Sequence, residues 1–158
     1  MTKAQFLRSV NNPLKISLFM LGRLPGAWFM GVRVRSCDEA RAVISLPYRW
    51  RSQNPFRSVY FAAQLAAGEF SSGILAQVHL QGRPPVSMLV THVEADFVKK
   101  AGGDLLFTCE NGRDIEAAIE RTLANGEPQT LVATAIGTLP DGTVASRIRL
   151  TWSFRRKG

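Results

Sequence analysis

Hydrophobic and polar positions follow a two-residue period most cleanly near the C terminus. Ile148, Leu150, Trp152 and Phe154 alternate with Arg147, Arg149, Thr151 and Ser153, which predicts a strand with one buried face and one wet, basic face. A strand-like run from Gln129 to Leu139 precedes it, and Pro140-Asp141-Gly142 supplies the turn residues of a terminal hairpin. The same reading predicts a strand pair at Gly31 to Cys37 and Arg41 to Pro47, turning at Asp38 and Glu39. It also predicts a hairpin of Val86 to Val98 with Asp104 to Glu110 across Gly102-Gly103. Two segments follow the helical period instead. Ile115, Ile119 and Leu123 recur every fourth position within Arg113 to Ala124, the mark of a surface helix. Pro13 to Leu24 reads as a short amphipathic helix stopped near Pro25 and Gly26, with Phe19, Leu24, Trp28 and Phe29 available to cover a core or line an apolar tunnel.

The longest predicted helix breaks the amphipathic rule. After the Asn54-Pro55 turn, the stretch to Ala76 holds Ala62, Ala63, Ala66, Ala67, Gly68, Ser71, Ser72 and Gly73 around a single carboxylate, Glu69. With no bulky or polar side to face solvent, such a helix needs neighbours all round, as a curved sheet wrapped about it provides. Hairpins around one central helix give an α+β domain rather than a doubly wound one. The expected organisation is a helical segment over residues 1–30 and one domain over 31–158. Removing a carboxylate from water costs several kcal/mol unless it is paired or protonated, so Glu69 is either satisfied by neighbouring donors or kept for chemistry.

Composition narrows the partners without choosing among them. The chain has 158 residues, 46% hydrophobic, with a net charge of +8, enough for one core and a preference for anionic partners: nucleic acid, an anionic membrane surface, or a phosphate-bearing molecule such as coenzyme A. Cys37 and Cys109 lie far apart in strand-like runs and read as reduced, buried thiols of an intracellular protein, and a cytoplasmic location is expected from the absence of a convincing export signal. The apolar run Ile16 to Leu21 is too short to span a bilayer and is followed by no clear cleavage site. His92, Glu94 and Asp96 share one strand face but lack a convergent third ligand position, so no metal is expected. His79 falls at a helix end, where a structural role suffices. Ser71 and Ser72 have no histidine at a nucleophile spacing, and no Gly-rich phosphate loop or dinucleotide fingerprint occurs.

The element order and the motif on the central helix resemble the hot-dog-fold acyl-CoA thioesterase superfamily, nearest its phenylacetyl-CoA thioesterase-like branch and a related group of uncharacterised bacterial proteins. The resemblance covers roughly Gly31 to Phe154. In that branch an Asn precedes the helix, a His-Gly-Gly-type turn opens it, and an Asp or Glu follows nine residues after the His. The matching positions here are Asn54, Tyr60-Phe61-Ala62 and Glu69. The carboxylate spacing is kept while the His and both glycines are replaced. The resemblance implies a hot-dog fold and hydrolysis of an acyl-CoA, with the Phe61 backbone N–H polarising the carbonyl, Asn54 orienting it or the water, and Glu69 as general base or nucleophile. Coenzyme A then enters as part of the substrate, with no separate cofactor, and Arg57, Tyr60, Lys99 and Lys100 are the candidate substrate contacts.

Helix geometry adds an independent constraint. Nine residues amount to about 13.5 Å of rise and about two and a half turns, a net rotation of about 180°, so the helix start and Glu69 of one chain cannot easily meet at one carbonyl. Two chains with antiparallel central helices solve this, so a homodimer or a dimer of dimers is expected. Two other classes remain open: a hot-dog dehydratase or hydratase, which normally pairs a His with the helix acid, and a non-catalytic binder of acyl-CoA or another polyanion, with no specific nucleic-acid site expected.

Overall fold

The computed structural model describes residues 1–157. Three helices, α1 (Lys3–Val10), α2 (Pro13–Arg23) and α3 (Pro25–Phe29), precede strands β1 (Arg33–Cys37) and β2 (Ala42–Leu46). The long helix α4 (Phe61–Leu80) follows, then β3 (Val86–Phe97), β4 (Leu105–Cys109), α5 (Gly112–Asn125), β5 (Gln129–Thr138) and β6 (Val144–Arg156). The six strands form one antiparallel sheet in the order β1-β2-β4-β5-β6-β3. It curves around α4, which packs on β2, β4, β5 and β6. This is the hot-dog fold.

The small residues of α4 make the wrapping possible. A Cβ on Gly68 would lie 2.7 Å from Ile148 Cδ1 and 3.3 Å from Ile148 Cβ of β6, so any larger residue would make the Ile148 side chain shift where helix and sheet meet. Ser71 and Ser72 are buried without cost in lost hydrogen bonds: the Ser71 hydroxyl donates to the Gly68 carbonyl, and Ser72 Oγ accepts from Trp152 Nε1 at 2.9 Å.

One predicted pairing is corrected. Val86 to Val98 and Asp104 to Glu110 do form strands, but not a hairpin. β3 pairs with β6 at one edge of the sheet, whereas β4 sits between β2 and β5. Leu105, Phe107 and Cys109 turn the buried face of β4 inward, while β2 and β5 are hydrogen-bonded along its two edges. The chain reaches that central position by crossing the end of the sheet: Val98 and Lys99 N–H groups donate to the Ala145 carbonyl, and the Ala101 carbonyl accepts from Val59 N–H. Gly102-Gly103 thus belongs to a crossover rather than a hairpin turn. Within the helical segment expected over residues 1–30, α1 is a separate helix ahead of Pro13, started by a capping box of Thr2 and Gln5.

Two polar or close-packed joints hold α4, α5 and the β1–β2 turn together. Gly112 packs so tightly under the Glu39 and Ala40 backbone that any Cβ would overlap the Glu39 carbonyl. Gly112→Ala is expected to cost about 3 kcal/mol, read as a lower urea midpoint at unchanged slope. Nearby, buried His79 at the end of α4 donates from Nε2 to the Glu39 carbonyl at 2.8 Å, while its Nδ1 lies 3.3 Å from Glu116. Glu39, His79 and Glu116 come close enough together to suggest a metal cluster. Lys3 bridges both carboxylates and Arg83 also holds Glu116, so cationic side chains already fill the ligand role.

Candidate functional site

The helix start is an open donor site. Tyr60 is the N-cap of α4 and provides no side-chain cap, so the first-turn N–H groups, Phe61 included, lack intrahelical acceptors and sit at the positive end of the dipole. Asn54 builds the turn before it. Its Oδ1 accepts from the Phe56 and Ser58 N–H groups at 3.0 and 3.2 Å and from the Ser58 hydroxyl at 3.1 Å. The loop is then fastened to the sheet end, with Tyr60 N–H donating to Ser52 and Val59 N–H to Ala101. The same fastening places Arg57, Tyr60, Lys99 and Lys100, all exposed, on the two segments that flank the helix start. Arg57 adopts φ 58°, in the left-handed region.

Aromatic bulk replaces the glycines of the resembled motif but does not close the helix end. The Tyr60 and Phe61 rings meet edge to face at 4.9 Å, and Phe61 reaches Phe97 at the end of β3 at 6.3 Å. Tyr60, Phe61 and Phe97 keep 43, 50 and 46% of their surface.

Glu69 lies two turns further along, about 12 Å by helix rise from Phe61. It is half-buried at the wall of a pocket between α4 and the N-terminal helices, beside Gly73, Phe70 and Met88. Gly73 makes the room: a Cβ there would sit 3.3 Å from Glu69 Oε1 and 3.5 Å from the Trp152 ring. Desolvation by burial raises the Glu69 pKa, and among the described residues no hydrogen bond to its carboxylate offsets it. A carboxylate whose folded pKa exceeds its unfolded value favours folding at low pH, and that contribution disappears as pH rises through the folded value. Glu69→Gln is therefore expected to raise the melting temperature at pH 7–8, with the difference shrinking toward pH 4. An unchanged or lower melting temperature at neutral pH would mean that Glu69 has a partner in solution.

The structure thus gathers Asn54, Arg57, Tyr60, Phe61, Lys99 and Lys100 at one end of α4 and leaves Glu69 apart from them within one chain. The pocket walls contributed by α1, Phe6 and Val10, are not marked in the sequence, where the N-terminal helical segment is delimited only at Pro13 to Leu24. Of the apolar residues flagged in the N-terminal segment, Phe19 and Leu24 do line the pocket. Trp28 is tied instead to Ser17 by its Nε1 and covered by Arg33, and Phe29 stacks under Arg51. His92, Glu94 and Asp96 form no ligand set: Arg149 holds both carboxylates, at 2.9 Å each. No helix among the described residues is long and apolar enough to cross a membrane.

Strand β3 is unfinished. It is an edge strand of 12 residues, and its inner face, where Val93 pairs with Leu150 and Phe97 with Ser146, meets α4 through Met88 with Gln77 and through Phe97 with Phe61. Val93 on that face remains 44% exposed.

Residues 14–154 match the family model described as "Domain of unknown function (DUF4442)". No curated protein matches the chain significantly. Among solved structures, a protein of unknown function from Chlorobaculum tepidum superposes with a TM-score of 0.76 at 13% identity, over 92% of this chain and 97% of that one. A mutant thioesterase from Pseudomonas aeruginosa gives 0.67 at 16% identity, over 91 and 94%. A thioesterase from Haemophilus influenzae gives 0.66 at 12% identity, over 92 and 91%. At such identities the likeness establishes the hot-dog fold.

Proposed function

We propose that this chain, which belongs to the DUF4442 family, hydrolyses acyl-CoA thioesters at a site shared between two subunits. The observation that carries the reading is Glu69: a desolvated carboxylate with no partner, on a pocket wall, in a helix whose other end offers free N–H donors. Thioesterases among the structures of similar fold add support. In the proposed reaction the thioester oxygen accepts from the Phe61 N–H of one subunit. Glu69 of the other removes a proton from the attacking water, or itself attacks the carbonyl carbon to give a mixed anhydride that water then opens. As the C–S bond breaks, the thiol leaves with a proton and the carboxylic acid remains. A raised pKa suits Glu69 to base work near neutral pH. Asn54 holds the turn that aims the helix start, and Arg57, Lys99 and Lys100 meet the nucleotide phosphates at the mouth, with Tyr60 beside them.

The open edge of β3 supports a dimer. Pairing two edge strands about a twofold axis would satisfy their open backbone groups, cover the inner face around Val93, and bring two α4 helices side by side in opposite directions. Val93→Lys is expected to give monomers in analytical ultracentrifugation and to remove turnover with them; an active monomer would exclude the shared site. Free-thiol release from acyl-CoAs tests the activity itself. A second reading, a non-catalytic acyl-CoA binder, draws on the exposed Phe61 ring at the helix start and predicts binding without thiol release.

A further inference from the structure

The pocket beyond Glu69 is far larger than water attack at a carbonyl requires. Its volume is about 460 Å³, inside the range of roughly 300–1,000 Å³ typical of ligand sites. Its walls come from Phe6, Val10, Ile16 and Phe19 on α1 and α2, Phe70 and Ile74 on α4, and Met88 on β3. The roof is pinned: Asn11, between α1 and α2, donates from Nδ2 to the Cys37 carbonyl at 2.7 Å and accepts from the Cys37 N–H at 2.9 Å. Val10, Ile16, Phe70 and Ile74 are buried, so these walls are part of the packed core. The charged side chains at this cavity are Glu69, Lys15 and Arg23, and the last two are exposed.

We propose that this cavity takes the hydrocarbon tail of a medium- or long-chain aliphatic acyl thioester, with the carbonyl at Glu69 and the methyl end beneath α1 and α2. The orientation rests on the thioesterase reading; the tail site rests on the cavity. A polar acyl group would leave its own hydrogen-bonding atoms unpaired against these walls. An aromatic one is too small: a cavity of about 150 Å³ already accommodates benzene, so a phenylacetyl group would leave most of this volume unfilled. An alkyl chain gains contact with every carbon added.

Unreactive thioether analogues of acyl-CoA carrying butyl, octyl, dodecyl and hexadecyl chains, titrated calorimetrically against the full chain, test this without relying on turnover. Affinity is expected to rise by up to about fourfold per methylene until the cavity is full. Ser9→Phe, which adds bulk from α1 into the cavity, is expected to leave the butyl analogue within about twofold and to weaken the dodecyl analogue by roughly tenfold or more. A Kd that does not change with chain length, or a variant that weakens all four analogues equally, overturns the proposal. The two readings fail separately. Chain-length-dependent binding with no hydrolysis of the matching thioesters removes the thioesterase and keeps the tail site; hydrolysis with chain-independent affinity does the reverse.

Discussion

Glu69→Gln is expected to lower kcat on acyl-CoA thioesters by roughly 10²–10⁴-fold, the range for loss of a positioned general base, and by more if the carboxylate is the nucleophile. Gln keeps the volume beside Gly73 and Trp152, so the pocket wall persists and the Kd for an unreactive analogue should change little. The expected signature is a loss in kcat accompanied by a gain in stability at neutral pH. That combination marks a carboxylate retained for chemistry at a cost to the fold. In the wild type the acid limb of the kcat profile should fall at a pH above the ordinary Glu range, because the base works only when ionised and burial raises its pKa. A limb at or below that range, with Glu69→Gln still active, would move the base elsewhere.

Phe61→Pro is expected to lower kcat by roughly 10²–10³-fold, the cost of one lost oxyanion donor. The substitution is unusually clean at this position. Phe61 is the first residue of α4, where the N–H has no intrahelical acceptor and proline is well tolerated. Tyr60 before it already has φ −60° and ψ 135°, the conformation a following proline demands. Phe61→Ala serves as the control, since it removes the ring contacts with Tyr60 and Phe97 but keeps the N–H. Equal losses in the two variants would assign the effect to the ring; a loss confined to proline assigns it to the backbone donor.

Much of this fold was legible because the signals were local. The alternation from Arg147 to Phe154, the Pro140-Asp141-Gly142 turn and the fourfold period of Ile115, Ile119 and Leu123 each depend on neighbours a few residues away, and the structure has the hairpin β5–β6 and helix α5 there. The small-residue run around Glu69 was legible for another reason: a helix without a polar face must be enclosed, and α4 is enclosed, down to the contact of Gly68 with Ile148. Strand pairing was not local. Nothing in Gly102-Gly103 distinguishes a hairpin turn from a crossover; the decision lies in the pairing of β4 with β2 and β5, partners distant in sequence that only the assembled sheet reveals.

The site was half legible in the same sense. The spacing from Tyr60 to Glu69 identified the carboxylate and the helix start, and the Val59–Ala101 hydrogen bond explains how Lys99 and Lys100 come to flank that start from a distant stretch of sequence. What the carboxylate faces was hidden. The α1 walls of the pocket, Phe6 and Val10, lie about 60 residues before Glu69, in a helix whose Thr2 and Gln5 cap is its clearest local mark.

Mixed dimers test the shared site most directly. A heterodimer of one Glu69→Gln chain and one Phe61→Pro chain, separated by distinct affinity tags, contains one damaged-twice site and one site in which intact Glu69 faces an intact helix start across the interface. Each homodimer alone should be nearly inactive, while the purified heterodimer should recover about half of the wild-type kcat per dimer, as one of two twofold-related sites is restored. A heterodimer as inactive as its parents would contradict the account, because it would place Glu69 and the Phe61 N–H in the same subunit's site.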